Sequence, residues 1–288
     1  MVGLIDEWWL RLLAGLLGSS LIAVAAYFGR SLSLSGAISA IVMGTVFITL
    51  GEPIWFALLI AFFVSSSLLS KWKRNSRAKA EAETKYEKSG RRDAGQVWAN
   101  GGVGLLLCAA HAIWHDPAWQ LAYIGVMASV NADTWATELG SLSRTAPRLI
   151  TSGKRCAPGT SGGVTPLGSA AALAGAAFIG AVAALLLSPQ QAAAAGQGGG
   201  FAAAAAVVAV AAAAGLAGAF ADSLLGATVQ AMYRCRVCGS ETERAAHCGA
   251  ATMRERGAAG LNNDRVNLLS SLLAGALALA LNILLHNL

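Results

Sequence analysis

At 288 residues, 56% hydrophobic and only 12% charged, the chain carries about half the charge of an ordinary soluble domain. So few charges could not cover the surface of a soluble fold this long, and the same arithmetic excludes disorder. The net charge of +6 does not mark a nucleic-acid binder, because the basic residues are dealt out loop by loop and form no single face. What remains is an all-α, polytopic membrane bundle whose 33 glycines and abundant alanines let helices approach closely.

A spanning helix needs about 20 mostly apolar residues. Stretches of that kind predict eight spans, over 8–28, 34–51, 53–70, 97–115, 118–139, 166–187, 201–225 and 265–286. The first span follows Asp6 and Glu7, not a basic leader, so it reads as retained although Ala23-Val24-Ala25 resembles a cleavage triplet. Spans two and three turn at Gly51-Glu52-Pro53, and four and five at His115-Asp116-Pro117. Span seven is alanine-rich and depends on packing between neighbours, and Gly196-Gln197-Gly198-Gly199-Gly200 before it reads as a flexible linker.

Every one of the 21 Lys and Arg except Arg11 falls in, or at the edge of, the loops after spans one, three, five and seven. Positive residues stay cytoplasmic, which predicts that both termini face outward. It also makes 71–96, 140–165 and 226–264 the cytoplasmic loops of one transmembrane domain. Tryptophans follow the same division: Trp8, Trp9, Trp55, Trp114 and Trp119 at outer ends, Trp72, Trp98 and Trp135 at inner ends.

Polar groups collect at the inner ends. Asn100 opens span four; Asn131, Asp133, Thr134, Thr137 and Glu138 close span five; Asp222 and Ser223 lie near the end of span seven; Asn262, Asn263, Asp264 and Asn267 open span eight. Ionisable groups at membrane depth are costly and mark functional sites. The bland alternative makes them interfacial caps, with Asp264 an N-cap and Asn131 a helix–helix hydrogen bond. At 100° per residue Asn131, Thr134 and Glu138 share one face and Asp133 and Thr137 a neighbouring one. Such hard oxygen donors suit Mg²⁺ bridging to phosphate. Ala132-Asp133-Thr134 is echoed by Ala221-Asp222-Ser223, either a duplicated element or chance.

The loops add three features. In 140–165, Lys154 and Arg155 precede Gly159-Thr160-Ser161-Gly162-Gly163, which reads as an anion nest or as a flexible turn. In 71–96, Lys71, Lys73, Arg74, Arg77 and Lys79 read as headgroup contacts, while Arg91 and Arg92 could clamp a phosphate that Asn100 also faces. In 226–264, Cys235, Cys238, His247 and Cys248 could hold structural Zn²⁺ or stay reduced cysteines. Cys108 reads as a small buried apolar residue.

Taken in order, these motifs resemble a known family. They are Gly90-Arg91 with Gln96-Val97-x-Ala99-Asn100-Gly101, Asn131-Ala-Asp133-Thr-Trp-Ala-Thr-Glu138, Pro158-Gly159-Thr160-x-Gly162-Gly163, Asp222-Ser223-x-x-Gly226, Cys235-x-x-Cys238-Gly239, His247-Cys248-Gly249 and Asn263-Asp264-x-Val266-Asn267. The set, over roughly residues 30–285, is similar to the integral membrane family of phytyl-phosphate kinase and transmembrane protein 19.

The resemblance implies transfer of a nucleotide γ-phosphoryl group, with CTP or a related donor, to an isoprenoid monophosphate at the cytoplasmic side of the cell membrane. On that reading Asp133, Glu138 and Asp222 hold Mg²⁺, with Asp264 adding a ligand and Asn131 and Asn263 supporting, while Asn267 helps bind substrate or nucleotide. Lys154, Arg155 and the 159–163 backbone hold the nucleotide, and Arg91, Arg92 and Asn100 the acceptor phosphate. The competing readings are a flippase for a phosphorylated lipid, a nucleotidyltransferase making a CDP-lipid, and a noncatalytic scaffold.

Overall fold

The computed structural model describes residues 8–72, 76–88, 90–187 and 201–286, with side chains to 284. Lys73, Arg74 and the 196–200 linker lie outside the described residues. Eight long helices lie close to the expected spans: α1 (Trp8–Phe28), α2 (Leu34–Leu50), α3 (Pro53–Lys71), α5 (Ala94–Trp114), α6 (Pro117–Gly140), α7 (Pro166–Leu186), α8 (Phe201–Thr228) and α9 (Asn263–His286). A short α4 (Arg77–Glu83) lies in the loop read as a headgroup contact.

The boundaries follow local chemistry. Ser33 and Thr165 cap α2 and α7 by accepting from Gly36 N and Gly168 N, at 3.1 and 3.0 Å. Asp93 and Gln96 form a capping box that starts α5 three residues before its apolar run. Pro53, Pro117 and Pro166 each stand in the first turn of their helices, where a missing N–H costs nothing. His115, left-handed at φ 51°, ends α5 and throws the chain into Asp116-Pro117. Asp264, read as an N-cap, is instead the second helical residue of α9: Asn262 Oδ1 accepts from Arg265 N at 3.3 Å.

Among the described residues, six helices (α1, α3, α5, α7, α8 and α9) are long and apolar enough to cross a membrane by themselves. α2 is shorter at 17 residues. α6 carries the polar cluster, and its residues from Gln120 to Ala132 are buried without a break. That burial has a cause: α6 packs against α3, α5, α7, α8 and α9 and forms the axis of the bundle. Small residues permit the approach. A Cβ on Gly215 of α8 would stand 2.6 Å from Ala176 Cβ of α7 and 2.9 Å from Ala128 Cβ of α6. The outer faces bear exposed Leu17, Leu21, Leu106 and Leu185, as lipid contact requires. Trp55, expected in the outer aromatic belt, is fully buried and stacks on Tyr123 at 4.6 Å.

The connecting segments add short antiparallel ladders to the helical fold. β1 (Arg148–Leu149) pairs with β2 (Gly163–Val164), closing the loop between α6 and α7. Between α8 and α9, β3 (Met232–Arg234), β4 (Glu241–Thr242) and β7 (Met253–Arg256) form a sheet in the order β4-β3-β7, and β5 (Ala246–His247) and β6 (Ala250–Ala251) a hairpin.

Candidate functional site

Antiparallel neighbours bring the C-terminal ends of α3, α6 and α8 and the N-terminal ends of α5, α7 and α9 to one end of the bundle. There they surround a cavity of about 550 Å³, further walled by α4, the 143–165 loop and Glu243. Asp133, Glu138, Asp222 and Asp264 all line it, as do Arg92, Asn100, Asn263, Asn267 and Gly159, Thr160, Ser161, Gly162 and Gly163. Polar groups spread along the chain from Arg92 to Asn267 therefore share one basin.

Four of the expected residues stand elsewhere. Asn131 is fully buried below the basin, donating to Gly175 O at 2.8 Å and accepting from Ser65 Oγ at 3.0 Å, so it ties α6 to α7 and α3. Arg91 is exposed, its guanidinium 5.8 Å from the Tyr27 ring centroid. Lys154 and Arg155 are exposed on the β1 side of their loop, and Arg148 bridges to Arg155. An isolated sequence motif carries no information about which way such a hairpin folds.

The carboxylates differ sharply in their surroundings. Glu138 accepts from Lys79 Nζ at 2.7 Å and from Ser70 Oγ, so both its oxygens are held within the protein. Asp264 lies 2.5 Å from Lys88 Nζ, which also pairs with Asp93 at 3.0 Å. Asp133 and Asp222 lie within each other's field. Among the described residues neither is paired with a Lys or Arg. Asp222 accepts from Ser270 Oγ at 3.1 Å, and Asn267 Oδ1 nearby is buried without a hydrogen-bond partner. Two carboxylates without a counter-cation and an orphaned carboxamide oxygen fit a hard cation such as Mg²⁺.

The cations are set as firmly. Arg92 donates from Nη1 to Ser67 Oγ at 2.9 Å and lies 5.7 and 5.8 Å from the ring centroids of Phe62 and Phe63. Burial pulls the Lys88 ammonium down, but its bonds to Asp264 and Asp93 outweigh that and hold it above its ordinary value. Asp93 is the converse: burial pushes it up, and the Gln96 N–H and Lys88 bring it below the usual carboxylate range.

The glycine loop is shaped by packing as much as by donors. Gly159 and Gly162 have φ of +73° and +81°. A Cβ on Gly162 would meet Ala227 Cα and Ser223 O, each at 2.9 Å, so only glycine lets this loop lie on α8. Thr160 and Gly163 spend their N–H groups on turn carbonyls, at 3.2 and 2.9 Å. Ser161 Oγ donates to Gln230 Oε1 at 3.0 Å.

Among the lining groups that sequence reasoning missed are Lys79, Lys88 and Glu243. Lys79, read as a headgroup contact, is 2% exposed because α4 folds back over the basin. Glu243 accepts from Gln230 Nε2 at 2.9 Å and Glu87 N at 3.0 Å, and burial pushes its carboxyl above the usual range. Its only sequence signal is its place in the loop that also holds the cysteines.

A second, apolar cavity of about 60 Å³ runs into the bundle between α1, α2, α3 and α5, lined by Ala40, Met43, Leu59 and Phe63 among others. It shares Arg92, Gln96 and Asn100 with the basin.

Residues 15–275 match the family model described as Integral membrane protein DUF92. The chain is 32% identical over 281 residues to Protein PGR of Arabidopsis thaliana, covering 93% of this chain and 94% of that protein. It is also 31% identical over 175 residues to the Uncharacterized membrane protein MJ0933 of Methanocaldococcus jannaschii, covering 60% of this chain and 71% of that one. No solved structure matches.

Proposed function

The chain belongs to the integral membrane protein family DUF92, and from the geometry of its basin we propose that it is an isoprenoid monophosphate kinase. An oxygen of the lipid phosphate attacks the γ-phosphorus of a nucleoside triphosphate such as CTP. The bond from that phosphorus to the bridging β–γ oxygen breaks, and a lipid diphosphate and nucleoside diphosphate leave. The acceptor oxygen is already ionised, so no strong general base is needed.

The observation that carries this reading is the sharing of Arg92, Gln96 and Asn100 between the polar basin and the apolar slot. A lipid phosphate has the same two parts: a chain that seeks hydrocarbon and a dianionic head that seeks cations. Arg92, aimed by Ser67, would hold the head at the mouth of the slot while the first part of the chain enters it. Lys79 and Lys88, each paired with a carboxylate, offset negative charge in the basin wall, and Thr137 and Ser223 add hydroxyls. Mg²⁺ would be held by Asp133, Asp222 and Asn267, and when bound it offsets phosphate charge. Phosphoryl transfer asks mainly for such alignment and charge neutralisation. The basic residues at this end make it the cytoplasmic face, in our reading of the cell membrane as its location.

The test is a panel of farnesyl, geranylgeranyl and phytyl monophosphates with each nucleoside triphosphate and Mg²⁺, incubated with the purified protein. Mass spectrometry of the lipid should find a diphosphate, with release of nucleoside diphosphate. Release of pyrophosphate with a CDP-lipid would make it a nucleotidyltransferase. Intact nucleotide together with headgroup translocation in liposomes would make it a flippase.

A further inference from the structure

The segment between α8 and α9 brings three cysteines and a histidine together on the basin's outer wall. The ligating atoms of Cys235, Cys238, His247 and Cys248 all lie within 4.8 Å of one another. His247 Nδ1 is 3.5 Å from Cys238 Sγ and 3.2 Å from Cys248 Sγ. A tetrahedral zinc with Zn–S near 2.3 Å and Zn–N near 2.0 Å sets its donors roughly 3.5–3.8 Å apart. We propose that these four side chains bind one structural Zn²⁺, which staples the β-module against the basin.

Both halves of the site have backbones suited to the task. In the first, Gly239 N donates to Cys235 O at 3.0 Å and Val237 N to Cys235 Sγ at 3.4 Å, with Gly239 at φ +72°. This is a tight knuckle closed on the Cys235 carbonyl, with the Val237 N–H turned toward sulfur. In the second, β5 and β6 pair His247 with Ala250, leaving Cys248 and Gly249 as a two-residue turn at φ +51° and +73°. Glycine accepts that conformation freely, whereas cysteine does so at a cost of about 1 kcal/mol or more. A bond from its sulfur to a metal offsets that cost. All three thiols are free, and an odd number cannot all be paired as disulfides within the cluster.

The metal has a structural consequence beyond the loop. Cys238 and His247 bracket residues 239–246, so an ion joining them closes that stretch into a ring. The ring carries Glu243, which lines the basin, and Arg244, which donates to Glu83 O at 3.1 Å at the end of α4 and to Tyr86 O at 2.7 Å just after it. One ion would thus hold in place the wall that meets α4 and the segment bearing Lys88. The metal site stands independently of the kinase reading.

The experiment is elemental analysis of untagged protein purified in detergent without added metal. About one zinc per chain is expected. Cys235→Ser and Cys248→Ser should each drop it below roughly a tenth, while Cys156→Ser, outside the cluster, keeps it. Because a ligand variant can fail to fold, the wild type is also stripped with chelator, reduced and titrated with Co²⁺. Thiolate-to-cobalt charge transfer and intense tetrahedral d–d bands, saturating at one equivalent, are expected. Two results overturn the proposal: no retained zinc together with no charge-transfer band, or full zinc content in folded Cys235→Ser and Cys248→Ser proteins.

Discussion

Lys79 Nζ sits 2.7 Å from Glu138 Oε2 while donating to the Leu69 and Trp72 carbonyls, each at 2.8 Å, so one ammonium ties α4 to the ends of α3 and α6. Its side chain is 2% exposed and that of Glu138 21%. Removing one member of a buried pair strands the other, at about 3–5 kcal/mol when both are fully buried. Water at Glu138 discounts this, so Lys79→Met should cost about 2 kcal/mol. The Lys79→Met/Glu138→Gln double variant should recover part of the loss, as a double-mutant cycle on unfolding in detergent would measure.

Asp133 and Asp222 lie within each other's field, and among the described residues neither is paired with a Lys or Arg. Mg²⁺ should raise the unfolding temperature of the wild type, by an amount equivalent to about 2.7 kcal/mol at a hundredfold excess over its dissociation constant. Asp133→Asn should remove most of that rise and cut turnover on the order of 10²–10³-fold. Calorimetry with and without Mg²⁺, beside the lipid phosphate assay, checks both. A variant that stays active and Mg²⁺-responsive ends the metal role of Asp133.

Gly162 combines a left-handed backbone with contact on Ala227 and the Ser223 carbonyl. Gly162→Ala is expected to destabilise by roughly 1–3 kcal/mol and to lower activity by lifting the loop from α8. Gly153, also at positive φ but with open space around it, should lose only the conformational part when made alanine. Equal losses in the two variants would show that close packing at Gly162 is unimportant.

Glu243 has a carboxyl raised by burial, so the folded state binds a proton more tightly than the unfolded state does. Stability from this group is present below the ordinary glutamate range and is lost as pH rises through the raised value. Glu243→Gln should flatten the dependence of unfolding temperature on pH over that window. A pH series from about 4 to 8 on both proteins measures it. An unchanged slope would mean that Glu243 does not titrate abnormally.

The apolar slot predicts a separation of substrates. Ala40→Phe should fill it and raise KM for a long-chain lipid phosphate roughly tenfold, leaving KM for the nucleotide unchanged. A short-chain acceptor such as dimethylallyl phosphate should show less of the effect. If both KM values rise together, the slot does not receive the chain.

The helices were legible because bilayer crossing demands long apolar runs, and Ser33, Asp93, Pro117 and Thr165 punctuate them locally. The basin was legible in part for the same reason: Asp133, Asp222 and Asp264 are expensive in or beside such helices, which exposes them to a reader. Lys79 and Glu243 carry no such signal. They lie in polar loops, where a charge is ordinary, and only the fold-back of α4 and the β-module turns them inward. Arg91 and Arg92 make the point most directly. They are adjacent and chemically identical, yet Arg92 reaches Ser67 while Arg91 rests by Tyr27, a choice fixed by the pairing of Leu32 with Arg92.

The central position of α6 bears on how the chain is made. When this helix leaves the ribosome, α3 and α5 already exist, but α7, α8 and α9, which cover the rest of it, have yet to be synthesised. A rod ending in Asp133 and Glu138 cannot rest against lipid in the interval without exposing those charges. Its release from the insertion machinery is therefore tied to the arrival of later segments. Truncation after α6 should leave it accessible to aqueous thiol reagents through an introduced cysteine, and extension through α9 should protect it.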